Sequence, residues 1–392
     1  MGVLHIAWRY LAHNRVKTTI LVASIALLVF VPVGLRVLVG HSAAQLTARA
    51  DVTPLVIGSK GSPLELVLRS LYFEGATPGT MRFEQVERVV ASGLAQAIPI
   101  HARFHARGTP IVGTSVDYLE HRGLSLAAGR PMAVLGDCVL GADVARERGL
   151  GVGDSVISSP ESVFDLAGVY PLKMTIVGVL APSFTPDDRS VFVDIKTTWV
   201  MEGLCHGHED LSRPEASSGV LEREGELITA NASVVQYTEI TPDTLDAFHF
   251  HGDPAGFPVT AIIAMPRDAK ASALLQGRYQ APDDPVQLVR PREVIDELLG
   301  TVFTVQGYVI AAVVFVGGAT LATTALVFLL SLRLRRREFQ TLARIGAPRG
   351  AVRALMFTEV ALVVLLGLAL AGLLTVLSSR YAPELVRSLV LS

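Results

Sequence analysis

The stretch RLRRREFQTLARIGA, residues 333–347, decides the fold because of what lies on either side of it. Thr301 to Leu332 before it and Val360 to Ser379 after it carry no charged residue, and a third uncharged run extends from Thr18 to Leu35. A helix needs roughly 20 mostly apolar residues to cross the hydrocarbon core of a bilayer, so each run reads as a membrane span. The chain as a whole agrees. Its 392 residues are 50% hydrophobic and 18% charged, with a mean hydropathy of +0.46, a surplus that an ordinary soluble core does not require.

The same arginines set the orientation. Seven of them (333, 335, 336, 337, 344, 349 and 353) stand between Leu332 and Glu359 against the single acid Glu338. Short loops rich in Arg and Lys stay on the cytoplasmic side, and the N-terminus, with Arg9, Arg15 and Lys17, obeys the same rule. The first span then runs outward, residues from about 41 to 300 lie outside, the second span returns, and the third leaves again. A basic segment before an apolar run also begins a signal peptide. Here the run exceeds a typical signal core and apolar residues continue past Arg36 in PVGLRVLVGHSAAQ (32–45), which predicts a retained span. The net charge of −2 says little about partners, and no nucleic-acid partner is expected. Cys138 and Cys205 both fall in the outer part, where they can form a bridge or remain free thiols.

The expected organisation is therefore an α-helical membrane bundle with an α/β extracytoplasmic domain inserted between helices 1 and 2. Residues 1–17 place Leu4, Ala7, Trp8 and Leu11 at helical spacing, as an amphipathic helix on the cytoplasmic face or as an extension of the span with snorkelling charges. Residues 18–40 form transmembrane helix 1, and 41–300 form the outer domain. Strands are predicted at 109–116, 173–180, 190–195 and 258–265, and a helix over 83–97. The polar segment 205–257 reads as irregular, and PREVIDELLG (291–300) as a helix leading to the membrane. Residues 301–332 form transmembrane helix 2, 333–354 a cytoplasmic coupling loop or helix, 355–379 transmembrane helix 3, and 380–392 a short tail. Glu359, at the inner end of the third span, snorkels or pairs with Arg353.

Three stretches resemble the permease subunits of MacB/LolC/FtsX-like ABC transporters, the type VII or mechanotransmission class. They are AWRYLAHNRVKTTILVASIALLV (7–29), GRPMAVLGDCVLGADVARERGLGVGDSV with MTIVGVLAP (129–182), and RRREFQTLARIGAPRGAVRALMFTE (335–359). The resemblance implies a bacterial cytoplasmic membrane protein that relays ATP-driven motion to its outer domain. It implies an ABC ATPase subunit binding ATP and Mg, a homodimer or pseudo-dimer of permeases, and an outer partner such as a periplasmic adaptor, a lipoprotein, a metal-binding protein or membrane lipid. The coupling residues are then Arg336, Arg337, Glu338, Phe339, Leu342, Ile345 and Gly346, on a short helix whose apolar face includes Phe339, Leu342 and Ile345 and which Gly346 ends. Members usually have four spans, whereas only RYAPELVRSLVLS (380–392) follows the third here. Rival readings are an FtsX-like regulator of an outer enzyme and a membrane-anchored zinc-binding module.

No G-x-x-x-x-G-K-[ST] loop occurs, so ATP hydrolysis is assigned to a separate chain, and no G-x-S-x-G or H-E-x-x-H motif occurs either. One constellation remains. CHGHED (205–210) and FHFHGD (248–253) gather His206, His208, His249 and His251 with Asp210 and Asp253. If the segments meet, these residues can hold zinc; if they do not, they are solvated polar turns.

Overall fold

The computed structural model describes residues 2–159, 171–207, 220–224, 227–230, 238–241, 245, 248–281, 283–334, 341, 344 and 349–390. They divide into two compact units, Met1–Thr47 with Glu297–Ser392, and Ala48–Asp296.

The first unit is helical. Among the described residues three helices are long and apolar enough to cross a membrane, and they belong to elements spanning Arg15–Asp51, Pro291–Leu334 and Arg349–Val390. Each outruns its uncharged stretch. At about 1.5 Å per residue, the first reaches roughly 55 Å against a hydrocarbon core of about 30 Å. A separate helix, Val3–His13, precedes it. The break falls at Asn14, whose amide donates to the Tyr10 carbonyl at 3.1 Å, while the Thr18 hydroxyl donates to the carbonyls of Leu11 and Asn14. The short helix buries Ala7 and Leu11 and leaves Leu4 and Trp8 exposed.

Leu11 joins Leu21, Ile25 and Val363 in one apolar cluster. Glycines let the helices approach closely. A Cβ on Gly367 would sit 2.7 Å from Ile25 Cγ2 and 3.4 Å from the Val22 carbonyl, and one on Gly317 would sit 2.1 Å from Leu28 Cδ1. In lipid, where apolar side chains gain little by leaving their solvent, such close backbone approach is a main source of helix association. Glu359 is only 5% exposed, so it lies inside this unit rather than snorkelling to water.

The second unit holds two main sheets. The smaller is antiparallel, with strands in the order Val286–Val289, Leu55–Ser59, Ala261–Pro266, Ala95–Ile100. The larger has eight strands and is mixed: Asp137–Leu140 runs parallel to Leu172–Leu180 and antiparallel to Val191–Asp194, which is parallel to Thr109–Thr114. A parallel neighbour needs a crossover, and between the first two strands Ala142–Arg148 is helical. The helix Ile195–Met201 serves both cores. Its Trp199 stacks edge-on against Phe83 and Phe257, each 5.1 Å away, and donates from Nε1 to the Pro258 carbonyl at 2.9 Å, while Val200 and Met201 pack into the core of the larger sheet.

The helix expected over 83–97 ends early. It spans Glu84–Ala91, Gly93 takes a left-handed φ of 64°, and Ala95–Ile100 is a strand facing the smaller core. The segment expected to be irregular, 205–257, contains two ribbons, Cys205–Gly207 with Phe248–Phe250 and Val220–Glu224 with Leu227–Ala230. Cys138 and Cys205 are both buried free thiols. Burial, with the Asp137 charge added, pushes the Cys138 thiol up to about 12.

Candidate functional site

The Arg15–Asp51 helix does not stop at the end of its apolar run, and its last turn carries Arg49, buried in the outer unit with four side-chain hydrogen bonds. Arg49 is 7% exposed and Asp187 is 1% exposed. The guanidinium meets the carboxylate in a two-pronged pair, Nη1 to Oδ2 at 2.6 Å and Nη2 to Oδ1 at 2.9 Å. Nη2 also donates to the Tyr118 hydroxyl at 2.8 Å, that hydroxyl donates to Asp187 Oδ1 at 2.7 Å, and Nε donates to the Leu71 carbonyl. The Thr185 hydroxyl completes the set on Asp187 Oδ2 at 2.8 Å. The Phe73 ring centroid lies 5.7 Å from the guanidinium, with Phe73 itself held at a φ of 60°.

Burial alone would raise the Asp187 carboxyl, but the Arg49 charge and the hydrogen bonds from Arg49, Tyr118 and Thr185 outweigh it and hold it below the usual carboxylate range. Burial raises the Tyr118 hydroxyl, so it stays a neutral donor. Asp187 thus accepts from Arg49, Tyr118 and Thr185 together, inside the outer unit.

A second ion pair, Asp51 Oδ1 to Arg292 Nη1 at 2.5 Å, joins the end of this helix to the start of the Pro291–Leu334 helix, and Arg292 Nε also meets Asp296 at 2.8 Å. About half of each side chain is exposed. Water and salt screen such a pair, so it aligns the helix ends without anchoring them. The anchor is Arg49.

The segment GRPMAVLGD (129–137) turns out to be architectural. Gly129 has a φ of 80°, and a Cβ there would lie 2.1 Å from the Val177 carbonyl oxygen. Arg130 then pairs with Asp137 at 2.7 and 3.3 Å, and Asp137 also accepts from the amides of Ala133 and Val134.

Of the residues singled out in the sequence, Arg336, Arg337, Glu338, Phe339, Leu342, Ile345 and Gly346 lie outside the described residues, as do His208 and Asp210. His206 lies on the strand Cys205–Gly207, opposite His249 on Phe248–Phe250. The rings of His249 and His251 are 4.6 Å apart, and Asp253 caps the Pro254–Gly256 turn by accepting from the Ala255 amide at 3.0 Å. Among the described side chains no three His, Cys, Asp or Glu converge as metal ligands. Nothing local in the sequence marks Arg49 or Asp187. They are 138 residues apart, and the one visible hint is a charge on a helix beyond its apolar run.

Residues 18–233 match the MacB-like periplasmic core domain, more than half of the chain, and residues 309–391 match the FtsX-like permease C-terminal region. Among solved structures, the chain is similar to the periplasmic region of MacB from Actinobacillus actinomycetemcomitans, at 10% identity over 63% of this chain and 92% of that one, with a TM-score of 0.34. It is also similar to the extracellular domain of the noncanonic ABC-type transporter YknZ from Gram-positive bacteria, at 10% identity over 60% and 98%, with a TM-score of 0.32. No curated protein matches it.

Proposed function

The chain belongs to the MacB-like periplasmic core domain family and ends in an FtsX-like permease region, and from that premise we propose that it relays the motion of a separate ABC ATPase to its own outer domain. As an ABC-transporter-type permease it is an inner-membrane protein with a periplasmic domain. ATP and Mg are assigned to that ATPase, as the family reading implies. Two permease chains, identical or paralogous, pair with two ATPases. The residues Arg336 to Gly346 receive the push, with Phe339, Leu342 and Ile345 seated in the ATPase and the arginines on its acidic rim.

One observation supports this reading: the Arg15–Asp51 helix continues past its apolar stretch, with Pro32 in its interior, to Arg49 and its buried, two-pronged ion pair with Asp187. A helix held at its outer end transmits displacement better than a flexible linker would, even though Pro32 removes one of its hydrogen bonds. The uncharged spans offer few ionisable residues to line a polar pathway. The work is therefore done outside, on a lipoprotein, a lipid, an adaptor or an enzyme held by the outer domain.

The test is the loop. Phe339→Asp and Ile345→Asp are expected to lower ATPase turnover in the reconstituted complex about tenfold, about 1.4 kcal/mol of coupling, while the outer unit melts as in the unsubstituted protein. Normal turnover in both variants would sink the proposal. Turnover stimulated by an outer protein without movement of any lipid or protein cargo would select the regulator within the same family.

A further inference from the structure

We propose that the cytoplasmic end of the first span holds one anionic phospholipid of the cytoplasmic leaflet, its phosphate against His13, Arg15 and Lys17 and its acyl chains against Ile20, Leu21 and Val327. These side chains line one cavity of about 700 Å³ within the helical unit. Cavities that hold ligands usually measure roughly 300–1,000 Å³. Its lining is divided. Three basic groups come first along the chain, three aliphatic ones lie beyond them, and no Asp or Glu is among the lining residues. A ligand with a negative head and an apolar tail matches both parts, whereas a soluble anion matches only one.

The break at Asn14 puts the basic groups there. It separates the Val3–His13 helix, which ends on His13, from the Arg15–Asp51 helix, which begins on Arg15. Arg15 Nε donates back across the break to the Ala12 carbonyl at 3.2 Å. Among the described residues its two terminal nitrogens have no other partner, which leaves them for a two-pronged contact with phosphate. The uncharged run starts at Thr18, so His13, Arg15 and Lys17 stand at the polar boundary of the span, and Ile20 and Leu21 lie a helical turn deeper. Val327 enters the cavity from the Pro291–Leu334 helix, roughly 10 Å before that helix ends at about 1.5 Å per residue. Charge and apolar surface therefore follow the same order as a lipid lying in its leaflet.

The periplasmic domain follows the far end of this span, which fixes the leaflet. On the cytoplasmic side, basic pockets between spans take anionic headgroups. The preceding helix stands at the same level: Leu4 and Trp8 are exposed on it, and Trp favours the boundary between lipid and water. Position also separates this lipid from a cargo of the outer domain, which works on the opposite side of the membrane. A lipid seated here bridges the first span and the helix that leads into the arginine-rich loop, as a resident part of the permease.

The experiment uses the full chain in detergent, stripped of lipid, and counts by native mass spectrometry what it retains when phosphatidylglycerol or phosphatidylcholine is added. One phosphatidylglycerol per chain is expected, preferred over phosphatidylcholine about thirtyfold, as two basic charges at about 1 kcal/mol each give. Arg15→Gln/Lys17→Gln should abolish that preference. Val327→Trp, which fills the apolar part and leaves every charge in place, should lower the occupancy of both lipids. Arg36→Gln, just past the outer end of the same uncharged run, should change neither. Helix content by circular dichroism, unchanged across the variants, separates a lost site from lost folding. Glycerol 3-phosphate, the headgroup without its tails, should not displace the lipid at equal concentration; if it does, the site takes a soluble anion and the proposal fails. Equal retention of the two lipids overturns it as well, as does a charge variant that binds like the unsubstituted chain. A lipid-free dimer weakened by the same substitutions would give this face to a second copy and overturn it too.

Discussion

Arg49→Ala is expected to destabilise the outer unit by about 3–5 kcal/mol, the usual cost of removing one partner from a buried ion pair. The loss is large because of what stays behind. Asp187 is 1% exposed and would keep its charge without the two guanidinium bonds that now offset its desolvation. Arg49→Lys should fall between, since an ammonium keeps the charge but cannot make the two-pronged contact and the Leu71 and Tyr118 bonds together. Arg49→Leu/Asp187→Leu should cost less than either leucine substitution alone, because the double change leaves no uncompensated charge in the core. The measurement is urea unfolding of the full chain followed by Trp199, with Trp8, the other tryptophan, replaced by Phe. A cost under about 1 kcal/mol, the level of an exposed pair, would show that Arg49 does not anchor the helix.

The same variant has a signature in pH. In the native protein the Asp187 carboxyl lies below its unfolded value of about 3.9. A carboxyl depressed on folding adds stability that is fully present above the unfolded value and is lost as pH falls through the folded one. The pair therefore holds undiminished from neutrality down to about pH 4 and weakens only below it. In Arg49→Ala the dominant influence left on Asp187 is burial, which raises its carboxyl, so lowering the pH neutralises it and relieves the variant. The gap between the two proteins should narrow as pH falls from 7 to 4; a gap that widens would contradict the assignment.

Gly129→Ala should cost roughly 2–5 kcal/mol, although it adds one methyl group and removes no hydrogen bond. About 1–2 kcal/mol comes from forcing a side chain into the left-handed region at φ 80°. Another 1–3 kcal/mol comes from overpacking, because the new Cβ would sit 2.1 Å from the Val177 oxygen and 2.9 Å from Gly178 Cα, both backbone atoms with little room to yield. Gly151→Ala is the control, with an ordinary φ and nothing within 4 Å of its added Cβ, and should change stability by less than about 0.5 kcal/mol. If Gly129→Ala unfolds like Gly151→Ala, the GRPMAVLGD segment is not the structural corner described above. A drop in stability together with intact ATPase coupling at permissive temperature would show that its sequence pattern records backbone geometry rather than contact with a partner.

How far the chain could be read in advance depends on the range of the interaction concerned. Three spans followed from uncharged runs and their orientation from seven arginines, because hydropathy and charge act on each segment by itself. The strand Leu172–Leu180 was visible for a similar reason, as a run rich in β-branched residues of which six of nine are buried. Helix lengths were less legible. The helix read over PREVIDELLG (291–300) and the uncharged run 301–332 turn out to be one helix, Pro291–Leu334, and local composition does not show that they join without a break. The ribbon under His249 was hidden by composition, since a polar segment with two histidines looks irregular until Phe248 and Phe250 are seen to share an inner face.

By itself, then, the sequence determined what each stretch can tolerate: which segments enter lipid and which carry the charge that keeps a loop in water. Only the tertiary structure decided which residues meet, joining Arg49 to Asp187 across 138 positions, His206 to His249 across a strand pair, and Gly129 to the backbone at Val177. The physical reason is that solvent preference belongs to a segment alone, whereas a buried ion pair or a backbone contact exists only when two distant segments are held at a separation of a few ångströms, and no local pattern encodes that separation.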